Sequence, residues 1–187
     1  MDQKPKIVNI TIAGSTVLMA DYILFATNQI LYINGVDRLN DFKNSYFYGL
    51  KPLILKDKYD TDYFNRQREE LKKFLTEKVV EKVTLILLDQ ETRRIYEEWH
   101  FEIDYDKAET SKEVWNNEGR GIFADAEDER IIQRKILSLY RQILESVNVL
   151  PILDCDNCAF DIEAKIKVKF SLDIYKQWTL LRTLKLL

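Results

Sequence analysis

The sequence predicts an α+β fold, three helices packed on a mainly antiparallel sheet, and three observations lead to it. First, residues 158–170 alternate without a break. Cys158, Phe160, Ile162, Ala164, Ile166, Val168 and Phe170 share one parity, and Ala159, Asp161, Glu163, Lys165, Lys167 and Lys169 share the other. Period-2 patterning of this length describes a strand with one buried and one wet face. Second, two β-rich runs, residues 82–88 and 94–104, flank Asp89-Gln90-Glu91-Thr92 and read as a hairpin. Third, three stretches carry apolar residues at helical spacing.

Taken in order, residues 7–12 form a short β-rich strand. Gly14-Ser15 then supplies a turn and an N-cap, because a serine hydroxyl accepts from the first free N–H groups of a helix. The helix that follows is apolar nearly all round despite Asp21, Asn28 and Gln29, so it belongs inside a domain, not across a membrane. Asn34-Gly35 ends it, glycine tolerating positive φ. Residues 36–58 mix aromatics with turn formers and predict short strands or an irregular hairpin. Asp60 or Asp62 caps a second helix through about residue 77, with Phe64, Leu71, Phe74 and Leu75 on its apolar side. In the strand at 94–104, Trp99, Phe101 and Ile103 face one way, and Glu98, His100 and Glu102 the other. Residues 106–125 are acidic and aperiodic, as in a surface loop or a disordered one. The third helix spans residues 127–147 on a stripe of Ile132, Ile136, Leu139, Tyr140, Ile143 and Val147.

At 187 residues the chain is expected to form one domain over 1–187, long enough to bury a real core. Its 46% hydrophobic and 32% charged residues are ordinary for a globular protein. A formal net charge of −3 argues against a nucleic-acid surface, although residues 165–185 are locally lysine-rich. Two cysteines are too few for a disulfide framework and favour a reducing compartment. The polar first six residues carry no apolar signal segment, so neither secretion nor a membrane partner is expected.

The candidate chemistry is sparse. Cys155 and Cys158 have C-x-x-C spacing, but a structural zinc needs four ligands and the single histidine, His100, lies on another strand. The motif also leads into a strand, whereas a redox pair gains its stabilised thiolate at a helix N-terminus. A buried Cys158 and a loop Cys155 are the better reading. His100 reads as a solvated strand residue beside Glu98 and Glu102, with no nucleophile to serve. Asp125, Glu127, Asp128 and Glu129 lack calcium-loop spacing and suit a helix N-terminus. No catalytic, metal or cofactor residue is assigned, and the chain is not expected to be an enzyme. Arg141 and Gln142 differ. They lie about 140° and about 120° from the centre of the third helix's stripe, and a guanidinium fork suits a partner's carboxylate or backbone.

The long strand near the end of the chain is the feature closest to a function, since an open strand edge accepts a peptide by pairing with it. Lysines at 165, 167 and 169 blunt that edge. A proline at Lys165 or Lys167 would block partner pairing if the N–H removed faces outward.

The series of motifs resembles the HORMA domain family, most closely its spindle-checkpoint branch. The matching stretches are Ile10-Thr11-Ile12-Ala13-Gly14-Ser15, Asn28-Gln29-Ile30-Leu31-Tyr32, Tyr48-Gly49-Leu50, residues 79–83 through 98–104, Arg141-Gln142-Ile143, Leu150-Pro151-Ile152-Leu153 and Asn157-Cys158-Ala159-Phe160-Asp161-Ile162. They run in order over residues 7–170. The DNA-repair (translesion polymerase) and meiotic-axis branches are similar but fit less well. The resemblance implies a HORMA-like fold and an adaptor that binds closure-motif peptides of a coiled-coil checkpoint protein and of the activator of the anaphase-promoting complex, which it helps to inhibit. It implies a nuclear and cytoplasmic protein found at kinetochores in mitosis. It implies an edge strand carrying Cys158, Phe160, Ile162, Ala164, Ile166 and Val168, with Trp99 and Trp178 in the region of a C-terminal belt. It also implies a conformational homodimer through Arg141 and Gln142, a remodelling AAA ATPase with its adaptor, and two states that differ in where the termini pair, residues 7–12 being displaced in one of them. Residues 171–187 are expected to be a shortened, divergent remnant of the belt, which would weaken peptide trapping.

Overall fold

The computed structural model describes residues 5–13, 15–36, 42–46, 48–56, 63–105, 114–115, 121–122, 126–149, 153 and 157–167. Among them the elements run β1 (Lys6–Ala13), α1 (Thr16–Ile33), β2 (Phe42–Asn44), β3 (Leu53–Leu55), α2 (Tyr63–Thr76), β4 (Val80–Asp89), β5 (Ile95–Asp104), β6 (Val114–Trp115), β7 (Gly121–Ile122), α3 (Ala126–Val149) and β8 (Cys158–Ile166). The α+β class and the three helices are as predicted. The main sheet has the order β1-β5-β4-β8. Its β4–β5 and β4–β8 pairings are antiparallel, and β1 joins β5 in parallel.

α1 forms because Ser15 caps it, its side chain accepting from Leu18 N–H at 3.4 Å. It ends where Gly35 takes φ +64°. With Leu18, Met19, Ile23, Ile30 and Leu31 all buried, it runs through the core between the sheet and the β2–β3 ribbon. Its buried amides do the work of a neighbouring strand. Asn28 Oδ1 accepts from Leu55 N–H at 2.7 Å, and Gln29 Nε2 donates to the Leu53 carbonyl at 2.9 Å. The edge of β3 is thus satisfied by α1 side chains, as buried backbone groups require.

β4 is central and buried along most of its length, so the apolar row Val83, Leu85, Leu87 meets Phe101 and Trp99 on β5 and Ala164, Ile162 and Phe160 on β8. The β4–β5 turn is held by Asp89, whose side chain accepts from Thr92 N–H, Thr92 Oγ1 and Tyr96 OH. Arg93 of that turn pairs with Asp161 of β8 at 2.5 Å. α3 presents Ile132, Ile136, Leu139 and Ile143 to the core, the stripe expected from its spacing.

Four expectations need correction or limits. Residues 106–125 are not wholly aperiodic, since β6 pairs with β7 within them. Ala159 is not on a wet face; it is buried with Ile86 and Leu88 in a small apolar cluster on the sheet's other side, because Ile95 packs there too. Cys158 is half-buried and disulfide-bonded, where a buried cysteine was expected. The described part of the last strand ends at Ile166, so Val168 and Phe170 fall outside it, as do Cys155, Trp178 and the belt residues 171–187.

Candidate strand-docking site

β8 stands at one end of the main sheet, so one side pairs with β4 and the other is an open edge among the described residues. Two hydrogen bonds settle which amides face that edge. Lys167 N–H donates to the Val79 carbonyl at 2.7 Å, and the Asn157 carbonyl accepts from Gln90 N–H at 2.8 Å. In an antiparallel strand the N–H and C=O of one residue point to the same neighbour, and successive residues alternate. The register irregularity lies on β4, between Val80 and Lys82, and leaves the parity of β8 intact. Odd-numbered residues therefore bond β4, while Phe160, Ile162, Ala164 and Ile166 turn their N–H and C=O outward. The proline positions suggested by the sequence, Lys165 and Lys167, thus fall on inward-paired amides.

An apolar recess opens beside this edge, between Ile23 and Leu24 of α1, Leu71 and Phe74 of α2, Val83 of β4, and Ile162 and Ala164 of β8, with Gln67 at its rim. A strand laid along β8 would set alternate side chains over it. The recess keeps its shape because α1 and α2 are bolted together. Asp21 of α1 is buried and accepts from Arg68 Nε and Nη2 of α2 and from Tyr48 OH. Burial acts to lower the Arg68 guanidinium, but the Asp21 hydrogen bond and charge more than offset it, so the net shift is upward. Of the three lysines expected to blunt the edge, Lys165 and Lys167 are exposed and Lys169 lies outside the described residues; Lys165 pairs with Glu81 at 3.0 Å, a surface contact worth little.

The other sequence-derived residues separate cleanly. Arg141 and Gln142 are exposed on α3. Trp99 is fully buried in the middle of β5 and donates through Nε1 to Glu97 Oε2 at 3.0 Å. His100 is not solvated as expected. Its side chain is 12% exposed, with Nε2 2.9 Å from Glu98 and Nδ1 3.3 Å from Lys82. A lysine ammonium only donates, so these contacts suit an imidazole that accepts at Nδ1 and donates to Glu98. Among the described residues no cluster of three or more histidine, cysteine or acidic side chains could hold a metal ion, and no helix is long and apolar enough to cross a membrane.

Glu97 was missed, although it shares the parity of Trp99 and Phe101 and that alternation could have exposed it. It is fully buried, and burial raises its carboxyl above the usual range, opposed by the Trp99 hydrogen bond and the Lys6 charge. The folded protein therefore holds this proton more tightly than the unfolded chain. The stability involved is fully present below the unfolded value of 4.5 and is lost as pH rises through the higher folded value. Glu97→Gln is expected to remove that loss. Urea unfolding from about pH 4 to about pH 8 checks it: the wild type should fall relative to the variant as pH rises.

A family model described as the HORMA domain matches residues 15–171. The mouse mitotic spindle assembly checkpoint protein MAD2A is 33% identical over 153 residues, 82% of this chain and 70% of that protein. The fission yeast mitotic spindle checkpoint component mad2 is 28% identical over 163 residues, 87% of this chain and 75% of its own. A chain in a crystal structure of the mitotic checkpoint complex has the same fold, with a TM-score of 0.64 at 24% identity, covering 84% of this chain and 77% of that one.

Proposed function

Because this chain belongs to the HORMA domain family, with MAD2 checkpoint proteins as its relatives, we propose that it is a spindle assembly checkpoint adaptor, not an enzyme, that captures closure-motif peptides by strand addition to β8. The observation that carries the reading is the row of outward amides at Phe160, Ile162, Ala164 and Ile166 beside an apolar recess. Each hydrogen bond made there contributes about 0.5–1.5 kcal/mol net. Side chains seated in the recess supply selectivity, and the sum must exceed the cost of ordering the peptide. The ligands are segments of a coiled-coil checkpoint protein and of the anaphase-promoting complex activator, and their capture helps to inhibit that complex. The protein acts in nucleus and cytoplasm and at kinetochores in mitosis.

In the same reading the fold is one of two packings separated by a few kcal/mol. The seating of β1 on β5 represents the state in which the terminal strand has not been displaced. A remodelling ATPase with its adaptor would drive the return to it.

Strand addition is tested by Ala164→Pro. It removes an outward N–H with little change in side-chain volume, on an edge strand where proline is tolerated. Pull-down of closure-motif peptides should be abolished while circular dichroism stays native. Unchanged capture by the folded variant would defeat the strand-addition reading. Glu163→Pro is the contrast: it deletes a bond to β4 and is expected to lower stability by about 3 kcal/mol.

Self-association is proposed through Arg141 and Gln142, which are exposed on α3. Arg141→Glu with Gln142→Ala should reduce the dimer in sedimentation and shift unfolding by no more than about 0.5 kcal/mol, as for other exposed positions. A wild type that stays monomeric at high concentration, with and without peptide, would contradict it.

A further inference from the structure

At the opposite end of the sheet β1 occupies the outer edge of β5 in parallel register, with Lys6 opposite Glu97, Val8 opposite Trp99 and Ile10 opposite Phe101. Paired residues share a face. Burial follows that parity, since Ile10 and Ile12 are buried and Lys6 and Val8 half-buried, whereas Ile7 is 57% exposed. Lys6 is therefore directed to the same side as Glu97. Glu97 has no solvent contact; its Oε2 takes the Trp99 bond, and its Oε1 has no hydrogen-bond partner among the described residues. Further along the same row stand Leu87 of β4 and Phe160 of β8, which offer no charge. Among the described residues, the cation that the register sets against this carboxylate is Lys6.

We infer that Glu97 makes the outer edge of β5 a charge-selective strand seat, which retains a strand carrying a cationic side chain opposite it and is filled here by β1 through Lys6. Backbone pairing alone accepts almost any sequence. A buried carboxylate does not, because the charge of a cation at the facing register offsets part of its desolvation cost without having to bond Oε1, and an uncharged occupant leaves that cost in place. An apolar or acidic residue at the register of Lys6 would thus be held less firmly. On the reading proposed above, a strand that replaces β1 in the second state needs lysine or arginine at the same register; this corollary rests on that reading, whereas the seating of β1 does not.

The test is a double-mutant cycle read by hydrogen exchange of the β1 amides in the free protein, so that it stands apart from any result on peptide capture at β8. Lys6→Met keeps the aliphatic stem and removes the ammonium. In the Glu97 background it should speed β1 exchange about tenfold, as expected where the register sets an ammonium against a buried carboxylate. In the Glu97→Gln background the same change should alter exchange less than about twofold. Exchange at β4 amides, which report global opening, should differ between Lys6→Met and wild type far less than exchange at β1. Equal acceleration in both backgrounds, or none in either, would overturn the proposal.

Discussion

Replacing Trp99 with alanine is expected to cost about 3–5 kcal/mol and to leave little folded protein at 37 °C. The indole sits fully buried between Val8 of β1 and Leu85 of β4, with Ile162 of β8 next along the row. Its removal opens a cavity that three paired strands cannot close by collapsing. It also deprives Glu97 of the hydrogen bond from Nε1 at 3.0 Å, leaving both oxygens of a buried carboxylate unmet. Trp99→Phe separates the two effects. It restores most of the packing and should recover over half of the loss, the remainder being the unanswered carboxylate. Urea unfolding of the three proteins checks this. A Trp99→Phe variant as unstable as Trp99→Ala would mean that the hydrogen bond, not the packing, dominates.

Arg68→Met is the second large effect, expected at about 3 kcal/mol, because removing one member of a buried pair leaves its partner uncompensated. Asp21 is 2% exposed and loses two of the donors it has, Nε and Nη2 of Arg68, keeping Tyr48 OH. The damage should reach the site, since Gln67 and Leu71 of the same helix border the recess beside β8. Peptide capture should weaken along with stability, and Asp21→Asn in the Arg68→Met background should recover part of both. Thermal unfolding and peptide titration on the single and double variants measure it. No recovery in the double variant would show that Asp21 is satisfied by other groups.

Much of this could be read in the sequence, and the parts that could not share a cause. The all-round apolar character of α1, the stripe of α3, the β4–β5 hairpin and the alternation of β8 were all legible because each depends on the pattern of one segment. What needs a second segment was not. Strict alternation says which side chains face the core, but the direction of each amide depends on where the neighbouring strand lies. That is why Lys165 and Lys167 looked like edge positions while Phe160, Ile162, Ala164 and Ile166 hold the outward groups. The parallel pairing of β1 with β5 has no local signal either. Glu97 was hidden for a different reason: a carboxylate in a strand invites placement on the wet face, although its parity with Trp99 and Phe101 assigned it to the core. His100 erred in the same direction for another reason: it does lie on the outer face, but its neighbours Lys82 and Glu98 cover it.

The central claim is that the outer edge of β8 accepts a strand, and residue-resolved hydrogen exchange with and without a closure-motif peptide tests it most directly. The amides of Ile162, Ala164 and Ile166 should be fast in the free protein and strongly protected in the complex, while Asp161, Glu163 and Lys165, already bonded to β4, change little. A peptide that binds without protecting the even-numbered amides, or that protects α3 instead, would contradict the account.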